Sequence, residues 1–198
     1  AYEKDKPVLC SLNLKINNGE KMEIERNSGN GKTTTFALLL GFYKANKGTI
    51  LVNGIPLSQI DTATLRRKMG IVSQDIMIFE DTIRYNLSLG MNCSNEEIWT
   101  VLKAVNLFET IKSLPSGIDT VISSSSHNLS GGQKQRLMIA RLLLRMPDFI
   151  ILDEATSALD IETEKAISEY ISSISQDATM LIISHRLETI KNCDNILV

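Results

Sequence analysis

The 198-residue chain is poor in cysteine: it has three, Cys10, Cys93 and Cys193, far apart and without metal-knuckle spacing. That argues against a disulfide scaffold or a cysteine zinc site and fits reduced, structural thiols of a cytosolic domain. Positive charge is not in excess either. Its 21 basic and 23 acidic side chains leave a formal net charge of -2 and a pI near 5.8, which gives no electrostatic footprint for wrapping nucleic acid. Long hydrophobic runs are missing: "FALLLGF" (36–42) and "FIIL" (149–152) fall far below the ~20 residues of a membrane helix. No signal-peptide pattern opens the chain and no fixed-period repeat runs through it. The one low-complexity stretch, "SSSSH" (123–127), reads as a flexible loop. The chain begins at Ala1 without a methionine and stops in "NILV", which reads as mid-strand. It is therefore expected to be a piece of a longer polypeptide.

What is present suits one sizeable globular domain, with 43% hydrophobic and 22% charged residues. "TILVNGIPL" (49–57) sets two β-rich runs around Asn53-Gly54, a dipeptide that accepts the positive φ angles of a tight hairpin. Helices are expected over 32–44, over 96–113 with Ile98, Val101, Leu102, Val105 and Leu107 apolar, and over 131–145, stopped by Pro147. "FIILDE" (149–154) and "TMLIISH" (179–185) read as strands buried on both faces, as in a parallel sheet. Alternating strands and helices make the class α/β.

The first chemical signal is "SGNGKTT" (28–34). Gly29 and Gly31 let backbone amides approach an anion, Lys32 can reach β- and γ-phosphate oxygens, and the Thr33 hydroxyl can bind magnesium. With its neighbours, the candidate nucleotide contacts are Asn27, Ser28, Gly29, Asn30, Gly31, Lys32, Thr33 and Thr34. In the full pattern G-x-x-x-x-G-K-[ST] the opening glycine falls on Arg26, and Glu23 and Glu25 stand where a buried aliphatic strand should lead in. A buried carboxylate must pair or neutralise. Three explanations stand side by side: pairing with Arg26, a strand more exposed than usual, or a degenerate sequence.

The second is "LSGGQKQR" (129–136), where Ser130, Gly131, Gly132 and Gln133 open a helix whose amides and dipole face one anion site. Here the chain resembles the nucleotide-binding domain of ATP-binding cassette (ABC) transporters, whose signature motif is LSGGQ. The resemblance covers nearly the whole chain in order. It implies a P-loop NTPase, RecA-like core (about 1–75 and 148–198) with a mainly parallel sheet, an antiparallel β subdomain, and an inserted helical subdomain (about 76–147). It further implies that Asp153 acts on magnesium and Glu154 is the general base. Gln74 in "IVSQD" looks like the Q-loop glutamine that reaches the metal and the catalytic centre, "SALD" (157–160) like the D-loop, and His185 like the switch histidine at the γ-phosphate. Tyr2 sits where the family stacks an aromatic on adenine; as a residue it reads equally as a surface tyrosine.

The stretch 57–90 is similar to the exporter branch, whereas Ser123 and Ser124 replace its usual glycine and glutamate before the signature. The implied partners are a second nucleotide-binding domain, closed head to tail over two ATP molecules, and a transmembrane domain, at the cytoplasmic face of the cell membrane. The implied function is ATP hydrolysis powering export. Arg26, Glu23 and Glu25 motivate an alternative, a nucleotide-binding module impaired in hydrolysis.

Overall fold

The computed structural model describes residues 8–9, 12–24, 32–73, 75–123, 129–153, 178–183 and 193–197, with 163, 165, 167 and 170 singly. In chain order the main elements are β1 (Lys21–Ile24), α1 (Lys32–Leu39), β2 (Leu51–Val52), β3 (Ile55–Pro56), α2 (Thr62–Lys68) and β4 (Met69–Val72). There follow α3 (Ile83–Ser88), α4 (Asn95–Ala104), α5 (Phe108–Lys112), α6 (Gly131–Arg145), β5 (Phe149–Asp153), β6 (Thr179–Ile183) and β7 (Asn195–Leu197). Five strands form a parallel sheet in the order β4-β5-β6-β1-β7, while β2 and β3 pair separately and antiparallel.

Apolar side chains cover both faces of this sheet, as parallel strands require. On one face Ile150, Leu152, Met180 and Ile182 join Leu137, Met138 and the buried residues of α3 and α4 in the larger core. On the other, Ile151, Leu181, Ile183, Met22 and Ile24 meet Phe36 of α1 in a smaller cluster. The period of two along a strand sends Glu23 to the larger-core face, beside its register partner Ile182. Glu23 is 0% exposed, so greater exposure of the lead-in strand does not explain this charge. Glu25 and Arg26 lie outside the described residues.

The hairpin turns where expected, with φ of 50° at Asn53 and 78° at Gly54. The helix at 131–145 has its expected bounds, but two others are corrected. The helix expected over 32–44 ends at Leu39. Gly41 takes a φ of 68°, and Arg66 of α2 donates from Nε to the Leu40 carbonyl at 3.0 Å, satisfying an end-of-helix acceptor. The helix expected over 96–113 is two, α4 and α5, broken at Asn106 with a φ of 54°. That break lets Val105 and Leu107, 0% and 1% exposed, both reach the core. Between β4 and β5 the longer regular elements are the helices α3 to α6. Among the described residues no helix is long and apolar enough to cross a membrane.

Candidate functional site at the carboxyl edge of the sheet

Because all five strands run parallel, their carboxyl ends share one edge. The register pairs Val72 with Leu152, Asp153 with Ile183, Glu23 with Ile182, and Ile24 with Leu197. Ligands of open α/β sheets bind outside this edge. Of the sequence-predicted residues, Asp153 stands at this edge, and β1, β4 and β6 end there shortly before others in the sequence. In the sequence, residues 25–31 stand between the end of β1 and the start of α1 at Lys32. Asp153 ends β5, where the buried run Ile150–Leu152 gives way to a half-buried carboxylate. In the sequence Glu154 comes next, Gln74 follows β4 by two positions and His185 follows β6 by two. Tyr2, Asn27, Ser28, Gly29, Asn30, Gly31, Gln74, Glu154 and His185 themselves lie outside the described residues, as do the side chains of Lys32 and Thr33. Thr34 is half-buried on the first turn of α1, and Thr35 and Phe36 pin that helix down, at 6% and 5% exposed.

Asp153 fits a magnesium site chemically. It is a hard oxygen donor at the edge where β1 also ends, and magnesium takes one or two carboxylates and completes its shell with water and phosphate oxygens.

The signature residues stand elsewhere. Ser130 caps α6, its Oγ accepting from Gln133 N at 3.3 Å, while Ser130 N donates to Gln133 Oε1 at 2.7 Å. The Gln133 side chain, expected toward nucleotide, is thus turned back onto its own helix. No acidic residue lies in the first turn, so the positive end of a 15-residue helix is left without a carboxylate of its own. The helix packs on α3, α4 and β4. A Cβ added to Gly70 would meet Leu142 Cδ1 at 2.1 Å and Pro147 Cγ at 2.7 Å, which shows how closely α6 lies on β4. From β4 to β1 is three strand spacings, about 14 Å. So α6 packs on a strand three places from β1, the strand that precedes residues 25–31 in the sequence.

Two residues escaped the sequence reading. Asn86 is 0% exposed. Its Oδ1 accepts from Phe79 N at 2.8 Å and its Nδ2 donates to the carbonyls of Phe79 and Thr82 at 2.9 and 3.0 Å. Arg141 of α6 donates to the Asn86 carbonyl at 2.6 Å, to Asn86 Oδ1 at 3.2 Å and to the Met77 carbonyl at 3.0 Å. The available signal was a charge inside the apolar run "LMIARLLL", which a helix buries only if something receives it.

The family pattern described as ABC transporter matches residues 9–157. An ABC transporter ATP-binding protein of Bacillus subtilis (YwjA) is 44% identical over the whole chain, and an ATP-dependent lipid A-core flippase of Chromobacterium violaceum 42% identical over 98% of it. The chain spans about a third of those relatives, 34% and 33% of their lengths. The structure of a bacterial Atm1-family ABC exporter with ATP bound matches with a TM-score of 0.92 at 36% identity, over all of this chain and 35% of that one.

Proposed function

Because this chain belongs to the ABC transporter family, whose ATP-binding domains are in general ATPases, we propose that it binds ATP with magnesium and hydrolyses it to drive export across a membrane. The observation that carries the reading is the shared carboxyl edge, where Asp153 stands and where neighbouring strands β1, β4, β5 and β6 end just before the glycine-rich segment, Gln74, Glu154 and His185 in the sequence.

The amides of Gly29 and Gly31 and the start of α1 receive the phosphates, and Lys32 offsets their charge. Thr33, Gln74 and Asp153 would hold magnesium, which when bound neutralises charge on the transferred phosphoryl group. Glu154 accepts the proton of attacking water and His185 orients it at the γ-phosphate. Tyr2 stacks on adenine. Ser130, Gly131 and Gly132 complete the site of a second nucleotide-binding domain; the packing of α6 on β4, three strands from β1, supports this reading. The helical part, about 76–147, meets a transmembrane domain at the cytoplasmic face of the membrane, while about 1–75 and 148–198 form the core. Relatives about three times as long, one of them a flippase, support a membrane partner.

Glu154→Gln in the intact protein is expected to lower ATP turnover at least ~100-fold while ATP still binds; unchanged turnover refutes the assignment. Arg26→Gly is expected to tighten ATP binding, since glycine frees the turn from strand to loop. Absence of binding by both wild type and variant defeats the reading.

A further inference from the structure

The segment from Ile76 to Tyr85 presents apolar side chains to solvent: Ile76, Met77, Phe79 and Tyr85 are 42%, 62%, 45% and 43% exposed. Residues 76–79 have no regular secondary structure, yet side chains fix this loop from behind. Asn86 closes it from Phe79 to Thr82 by three strong hydrogen bonds, and Arg141 fastens the closed loop to α6 by three more. The Asn86 carbonyl lies in the last turn of α3, where the helix has no acceptor-satisfying amide of its own, and the Arg141 Nε–H supplies the missing donor. The guanidinium carbon also stands 5.5 Å from the centre of the Phe79 ring, and Met77 N approaches Met138 Sδ at 3.3 Å. Burial lowers the Arg141 pKa from its ordinary value, with Arg145 adding to the effect; guanidinium still keeps its proton at any working pH.

Ten residues before Arg141, the same helix begins at Gly131, about 15 Å away along a rigid rod. We propose that Arg141 is a positioning residue: it locks the apolar segment 76–86 to α6, so that a displacement of that segment is passed to Ser130 and Gly132 rather than absorbed by the loop. This rests on the function proposed above, in which the α6 start completes an ATP site. Arg141 touches no nucleotide. It acts through the helix, and its planar fork is what lets one side chain hold two carbonyls and an amide oxygen at once. Lysine carries its three donors on one nitrogen and lacks the fork that spans these separated acceptors.

The test uses the intact protein reconstituted in lipid vesicles, with Arg141→Lys and the neutral Arg141→Gln, measuring ATP turnover against ATP concentration together with direct ATP binding. Both variants are expected to lower kcat about tenfold or more and to leave half-saturation and ATP affinity within twofold, because the phosphate loop is untouched. Arg84→Lys is the control. It loosens a different tie, from Arg84 to Asp119 and Asn95, and is expected to leave kcat within twofold. Wild-type kcat in both Arg141 variants overturns the inference while leaving the proposed function standing. So does a parallel loss of ATP binding and turnover, or a failure of both variants to fold, since either marks a merely structural arginine. A wild-type protein without ATP turnover defeats the function and this inference together.

Discussion

Two helices of this molecule begin with the same device and differ in what they leave open. Ser94 caps α4 and Ser130 caps α6, each with a reciprocal bond from the residue three places on. At α4 that residue is Glu97, preceded by Glu96, so the helix meets its own positive end with carboxylates, and the Ser94 hydroxyl is spent on Glu97 Oε2 at 2.8 Å. At α6 the residue is the uncharged Gln133, preceded by Gly131 and Gly132. The contrast teaches that a capping box stabilises a helix whichever residue closes it. Only the charge-free version keeps the dipole and the glycine amides available to an outside anion.

The comparison breaks most sharply if α6 is made to resemble α4. Gln133→Glu is expected to leave the helix as stable or slightly more so, yet to cut ATP turnover of the intact protein about a hundredfold, the size of losing a donor aimed at developing charge. Retained turnover would show that the neutral cap is incidental. Next, Gly70→Ala forces a methyl against Leu142 and the rigid Pro147 ring. It is expected to cost about 1–3 kcal/mol in denaturant unfolding, a loss on the α6 side with no counterpart at α4.

Smaller still, Ser130→Ala is expected to cost about 1 kcal/mol, with Ser94→Ala similar; only Ser130→Ala should also lower turnover. The finest distinction is in pH. Hydrogen bonds from the Ser94 amide and hydroxyl hold the Glu97 pKa below its ordinary value of 4.5. A lowered folded pKa means that this contribution is complete above the ordinary value and fades as pH falls through the folded one. Unfolding at pH 7 and pH 3 should therefore show the Ser94→Ala penalty shrinking in acid and the Ser130→Ala penalty unchanged, because Gln133 does not titrate.

Much of this was legible in the residues. β5 and β6 were readable because an aliphatic run ending in a polar group suits only a strand covered on both faces. The hairpin was readable because Asn53 and Gly54 tolerate positive φ. The signature helix was readable to its bounds because Ser130 caps it and Pro147 forbids continuation. The break at Asn106 was not, since periodicity runs across it and the demand to bury both Val105 and Leu107 comes from α6 and its neighbours. The same holds for Arg141, whose acceptors lie 55 and 64 residues away.

The sequence by itself determined the α/β class, the two glycine-rich starts and the family, because these rest on local backbone needs and on motif order. Tertiary structure alone decided that Asp153 and the ends of β1, β4 and β6 share one edge, that Glu23 is sealed in the larger core, and that Arg141 is spent on Met77 and Asn86. Those outcomes depend on strand order and on which distant groups arrive to satisfy a charge, and no local pattern encodes either.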